Sequence, residues 1–187
     1  KGKRTSNSFE FTSWWADAGN KPITDLMDFC RTFFAKHTIL NLLTKYCVFT
    51  TEKSLLVMRP YQIVATERIL NRILVANNYK RFGTIDSGGY VWHTTGSGKT
   101  LTSFKASQIL THLSKIKKVV FVVDRKDLDY QTTKEFNSFS KGSVDGTDDT
   151  RQLVRQFSDD TKLIVTTIQK LNTAISKKHY LDRMQKL

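Results

Sequence analysis

The chain has 187 residues, room for one α/β domain and a smaller attachment. Its hydrophobic share of 39% falls in runs dense enough for a core, and no run is long enough for a membrane-crossing helix. Lys and Arg number 30 against 17 Asp and Glu, a formal net charge of +13. That excess suits a polyanionic partner; solvated lysine faces, such as the pairs Lys117-Lys118 and Lys177-Lys178, are the plainer alternative.

The N-terminal Lys1-Gly2-Lys3-Arg4 is basic, but no apolar signal segment follows it. Residues 1–20 are otherwise polar, with Phe9, Phe11, Trp14 and Trp15 available for docking. From Thr24 onward Leu26, Phe29, Cys30, Phe33 and Phe34 form one helical stripe, and Ile39, Leu42, Leu43 and Tyr46 form a second. These stripes read as a helical layer packed on the main domain. Cys30 lies on the first stripe, so a reduced core thiol is expected rather than a disulfide or a metal ligand, in an intracellular, cytoplasmic protein. Residues 48–58 read as extended, with Thr50, Thr51, Glu52 and Lys53 as a turn.

Arg59-Pro60 starts a long helix, because proline suits the first helical turn. Ile63, Ile69, Leu70, Ile73 and Leu74 are its expected core face, and residues 77–89 form a polar loop. An alternation follows: a strand over 90–92, a helix over 99–113, strand Val119–Val123 and a helix over 127–139. The polar stretch 141–150 interrupts it. A short helix over 151–157, strand Leu163–Thr167 and helix Ile168–Ser176 complete the run. Continuous apolar strands separated by amphipathic helices predict a parallel sheet covered on both faces.

The sharpest motif is His93-Thr94-Thr95-Gly96-Ser97-Gly98-Lys99-Thr100, set between the predicted strand 90–92 and the helix after it. Gly96 and Gly98 let the backbone curl so that successive N–H groups face one phosphate group. The following helix adds its positive N-terminal end. Thr95, Gly96, Ser97, Gly98, Lys99 and Thr100 are therefore the expected ATP contacts. Lys99 reaches the β- and γ-phosphates, and the Thr100 hydroxyl holds Mg²⁺. His93 departs from the general G-x-x-x-x-G-K-[ST] pattern at its first glycine.

One helix upstream, Arg59-Pro60-Tyr61-Gln62 offers a glutamine amide, whose donor and acceptor match the N6/N7 edge of adenine. A helix-capping turn is the plainer reading of that tetrapeptide taken alone. Ahead of a phosphate loop it resembles the adenine-reading Q motif of superfamily 2 helicases and translocases. At the end of the next strand, Arg125 and Lys126 are candidate contacts for nucleic-acid phosphates, and Thr167 and Gln169 are candidates at the last strand-to-helix turn.

Four segments together narrow the choice: 56–62, 89–102, 123–131 and 166–171. They resemble the motor part of the restriction (R) subunit of type I restriction–modification enzymes, over most of residues 22–171. Histidine at position 93 agrees with that family. The resemblance implies a helical linker over 1–58, following a nuclease domain, and most of a first RecA-like motor domain over 59–187. The expected fold is therefore α/β, a RecA-like P-loop NTPase sheet with flanking helices, preceded by a small helical segment. The implied cofactors are ATP and Mg²⁺. The implied partners are double-stranded DNA, gripped without regard to sequence, and the methylation and specificity subunits. The family's acidic D-E-x-H segment should lie beyond Leu171, where this chain has no Asp-Glu pair. The chain thus reads as a fragment of a translocating endonuclease, with little hydrolysis of its own. The rival readings are a small P-loop kinase and a non-catalytic docking module that keeps the fold.

Overall fold

The computed structural model describes residues 12–124, 126–139, 145–146 and 149–177. The chain divides into two compact units: residues up to Cys47 with Val57–Trp92, and Val48–Leu56 with the residues from His93 on.

Among the described residues the first unit holds three α-helices. Helix α1 (Leu26–Phe33) starts at Asp25, whose carboxylate accepts from the Asp28 N–H at 2.9 Å. Helix α2 (Lys36–Thr44) follows after a short break. The predicted apolar stripe of α1 is covered only in part: Leu26 and Phe34 are 71% and 62% exposed, and none of its five residues is fully buried. Phe29 stacks on Phe33 at 5.0 Å, and Trp15 meets Phe33 edge-on at 5.2 Å while its indole N–H donates to the Thr32 hydroxyl. Trp15 thus docks and Trp14 stays exposed; Phe9 and Phe11 lie outside the described residues. Cys30 and Cys47 are free thiols, both half-buried.

Helix α3 (Pro60–Asn78) opens on proline at its first turn, as expected. Its buried face differs from the predicted one: Gln62, Ala65, Thr66 and Leu70 are buried, whereas Leu74 is exposed. The helix carries apolar residues on more than one side, so periodicity alone does not select the stripe that packs. Of the five residues predicted to face the core, Leu70 is the one fully buried, and Ile63, Ile69 and Ile73 are partly covered.

The second unit is built on a parallel sheet. Strands β1 (Cys47–Phe49) and β2 (Leu55–Val57) form a hairpin across the predicted turn, where Thr50 and Ser54 exchange hydrogen bonds. The main sheet has the order β3-β5-β4, from β3 (Val119–Val123), β4 (Asp145–Gly146) and β5 (Leu163–Thr167). Strands β3 and β5 run parallel in register, Val119 opposite Leu163 through Val123 opposite Thr167. The polar stretch that interrupts the sequence pattern supplies β4, with Asp145 opposite Ile164.

Side chains alternate across a strand, so central β5 serves two cores. Leu163 and Val165 join Val48, Phe104, Phe136 and Phe139 on one face. Ile164 joins Leu153, Val154 and Ala174 on the other. The first core is covered by α4 (Lys99–Thr111) and α5 (Lys126–Phe139), with Phe104 5.1 Å from both Phe136 and Phe139. The second is covered by α6 (Thr150–Ser158) and α7 (Ile168–Ser176). Every residue of β5 is buried, which is why the sequence there reads as continuous rather than alternating.

The expected strand over 90–92 does not form. Residues 88–94 are irregular, and Tyr90 and Trp92 stand 91% and 87% exposed. A strand is held by the N–H and C=O groups of its neighbours, and this three-residue run has no bridge partner among the described residues.

Lys118 corrects the reading of its pair as solvated charge. Its ammonium donates to the main-chain oxygens of Gln156, Asp159 and Thr161, at 2.9 Å for Gln156 and 3.0 Å for Thr161. It closes the C-terminal end of α6, where carbonyls lack intrahelical partners and the helix dipole is negative.

Candidate nucleotide site

The phosphate loop lies in the second unit and runs directly into α4. Gly96 has φ +77° and Gly98 has φ +76°, the left-handed region that disfavours side chains. Open space surrounds the position a Cβ would take on Gly96, so backbone conformation alone accounts for glycine there. Gly98 is the N-cap of α4, and no side chain caps that end. The first N–H groups of the helix are therefore left to a ligand or to water.

Thr94 organises the loop through its main-chain oxygen. It accepts from the Ser97 hydroxyl at 2.7 Å, from the Ser97 N–H at 3.3 Å and from the Lys99 ammonium at 3.1 Å. The exposed Lys99 side chain is thus folded back across the loop that precedes it. Sequence reasoning did not find Thr94, because its contribution is a carbonyl that every residue carries. Thr102 tightens the helix start, its N–H and hydroxyl both meeting the Gly98 oxygen, at 3.0 and 3.1 Å. Thr100 is half-buried in the first turn of α4. A loop with two left-handed glycines, an uncapped helix start, an ammonium and a hydroxyl is a donor set that fits a triphosphate and its Mg²⁺.

Gln62 belongs to the first unit. It is 4% exposed, and its Oε1 accepts from the Arg59 N–H at 2.8 Å. This is half of a capping box, and it fixes the direction of the amide at the start of α3.

The candidate nucleic-acid segments meet at one edge of the sheet. Val123 and Thr167 are paired at the C-terminal ends of β3 and β5, and Gln169 Nε2 donates to the Asp124 oxygen at 3.1 Å. Thr167 is fully buried, and its hydroxyl accepts from the Lys170 N–H at 3.2 Å as the N-cap of α7. Arg125 and the side chain of Lys126 lie outside the described residues.

A cluster in the first unit also escaped sequence reasoning. The Glu67 carboxylate on α3 accepts from the Tyr46 hydroxyl and from the Lys45 ammonium, the latter at 2.7 Å. Burial, reinforced by the Glu67 bond, pushes the Tyr46 phenol up to about 12. Burial opposes the charge on Glu67, but Lys45 and Tyr46 outweigh it and hold the carboxyl below its usual range. Burial likewise opposes the Lys45 charge, but Glu67 and Tyr46 outweigh it and raise the pKa of the ammonium.

The family model of the SWI2/SNF2 ATPases matches residues 61–187. That stretch includes the loop, the strand-end segments and both cores apart from Val48, so the class is a helicase-like, ATP-binding motor. The chain is 48% identical over 171 residues to the C-terminal part of the type I restriction enzyme MpnIIP endonuclease subunit of Mycoplasma pneumoniae, covering 89% of this chain and 83% of that protein. It is 49% identical over 164 residues to a type I restriction enzyme endonuclease subunit of Staphylococcus saprophyticus, covering 87% of this chain and 17% of that one. The EcoprrI endonuclease subunit of Escherichia coli is 61% identical over 71 residues, 38% of this chain. The chain belongs to the endonuclease subunit family of type I restriction enzymes. It spans 17% of the staphylococcal relatives and most of the Mycoplasma pneumoniae one. No helix among the described residues is long and apolar enough to cross a membrane.

Proposed function

We propose that residues 59–187 are most of the first RecA-like domain of a DNA translocase, and that residues 1–58 link it to a nuclease domain. The subunit would act in the cytoplasm beside methylation and specificity subunits, coupling ATP hydrolysis to movement along double-stranded DNA and cleavage of that DNA. The observation that carries the reading is the loop itself: left-handed Gly96 and Gly98, an uncapped α4, and Lys99 drawn over the loop by the Thr94 oxygen.

In this reading Thr95, Gly96, Ser97 and Gly98 surround the phosphates. Lys99 leaves the Thr94 oxygen to neutralise their charge, Thr100 helps hold Mg²⁺, and Gln62 reads adenine. Phosphoryl transfer depends on charge positioned from several parts at once. No D-E-x-H segment occurs in this sequence, so the chain alone is expected to bind ATP–Mg²⁺ and to turn over almost none. DNA is met by Arg125, Lys126 and Gln169, which follow the C-terminal ends of β3 and β5 in the sequence, with Thr167 holding the turn from within.

Titration of the chain with fluorescent ATP and GTP, with Mg²⁺ present, tests this. Lys99→Ala should weaken both nucleotides alike, by roughly tenfold or more, since it removes a charge-assisted hydrogen bond to phosphate. Gly96→Ala should weaken both through the backbone, at a cost of roughly 1–2 kcal/mol for a left-handed non-glycine residue. Unchanged affinity in Lys99→Ala would remove the phosphate loop from the site. Robust DNA-stimulated turnover by the chain alone would show the role given to the missing acidic segment to be wrong.

A further inference from the structure

We infer that Tyr46 is a positioning residue for Gln62, holding the start of α3 at two points and so setting the preference for adenine. This rests on the reading of Gln62 given above.

The two points bracket Gln62 along the chain. On one side the Tyr46 main-chain oxygen accepts from the Met58 N–H at 2.9 Å, just before the helix begins. On the other the Tyr46 hydroxyl donates to the Glu67 carboxylate, in the second turn of α3. Between them the Arg59 N–H holds Gln62 Oε1 at 2.8 Å. Met58 and Arg59 are adjacent, so the group that orients the glutamine amide is one residue from the group that Tyr46 grips. Tyr46 is itself fixed, its N–H bonded to the Asn41 oxygen of α2 at 2.8 Å.

The clamp is shielded on one side: Tyr46 is 6% exposed, whereas the Glu67 side chain that accepts from its hydroxyl is 47% exposed. Lys45 adds a second donor to Glu67 at 2.7 Å and lies over the Tyr46 ring, 5.1 Å from its centre. An amide that distinguishes adenine from guanine does so by direction, because the two bases exchange donor and acceptor at the same edge. Loosening either end of the stretch 58–67 lets that direction wander. The phosphate loop belongs to the other unit of the chain, and none of the Tyr46 bonds described above is made to it.

The test is the ratio of ATP to GTP affinity in this chain, with inorganic tripolyphosphate as a probe for the phosphate loop alone. Tyr46→Phe should reduce the ratio by about threefold to tenfold, the worth of one partly buried hydrogen bond, and leave tripolyphosphate binding unchanged. Glu67→Ala should reduce it similarly. Glu67→Gln keeps an acceptor for the Tyr46 hydroxyl and should hold the ratio within about twofold of the parent. A purely structural role would instead weaken ATP, GTP and tripolyphosphate together, and that result overturns the inference. So does an unchanged ratio in Tyr46→Phe when Gln62→Ala abolishes it. If Tyr46→Phe fails to fold, Glu67→Ala and Glu67→Gln decide between the same outcomes. An unchanged ratio in Gln62→Ala, or no preference for ATP in the parent, fells the reading of Gln62 itself.

Discussion

Gln169 ties the ends of the two long strands together, its Nε2 donating to the main-chain oxygen of Asp124 at 3.1 Å. The bond joins the start of α7 to the exit of β3, at the level where Val123 pairs with Thr167. A side chain proposed to meet DNA thus also holds the loop that leads to the basic pair. Gln169→Ala should lower stability by only about 0.5 kcal/mol, because the bond is exposed to water. It should also speed amide exchange at residue 126, where α5 begins. Exchange unchanged there would separate the two strand ends.

Lys118 is the opposite case, a charge taken up wholly by structure. Replacing it with Met keeps the stem and removes the ammonium from the oxygens of Gln156, Asp159 and Thr161. The expected loss is about 2 kcal/mol, since hydrogen bonds from a charged donor exceed neutral ones and the carbonyls left behind terminate a helix. Urea denaturation reads it directly. A shift no larger than that of Lys117→Met would return Lys118 to the solvated surface.

The Tyr46 phenol has its pKa raised from 10.0 to about 12, by burial first and by the Glu67 bond second. A folded-state value above the unfolded one means the contribution is complete below pH 10 and is lost as pH climbs towards 12. Glu67 runs the other way. Its lowered value makes a contribution present above its ordinary value of 4.5 and lost as pH falls below it. Thermal midpoints measured across pH should therefore fall at both limits. Tyr46→Phe should flatten the alkaline limb in part, leaving the share due to Lys45, whose pKa is also raised. An alkaline limb identical in the variant would show that the phenol does not titrate with unfolding.

A motor that moves along any sequence grips backbone phosphates, so duplex binding should be weak, indifferent to sequence and steeply reduced by salt. Neutralising Arg125 and Lys126 together should flatten the slope of log affinity against log salt by up to ~2, near one for each phosphate no longer paired with a cation. Salt titrations of the parent chain and the double variant give the comparison. Equal slopes would move the DNA away from this edge.

What the sequence alone determined were features governed by near neighbours. Strands β3 and β5 and helix α7 have the bounds their apolar patterns predict, since a run buried on both sides and a helix with its own cap are legible residue by residue. The left-handed glycines of the phosphate loop are equally local, because the absence of a Cβ is itself the signal. Tertiary structure decided what depends on distant partners. The run at 90–92 looks like a strand, but pairing is a property of two stretches of backbone and this run has no partner stretch among the described residues. Thr167, read from sequence as a candidate DNA contact, is fully buried and spends its oxygen on the α7 cap. Lys118 and Tyr46 owe their roles to groups 38 and 21 residues away. Hydrophobic periodicity carries no information over such separations; only the folded chain brings those groups within the reach of a hydrogen bond.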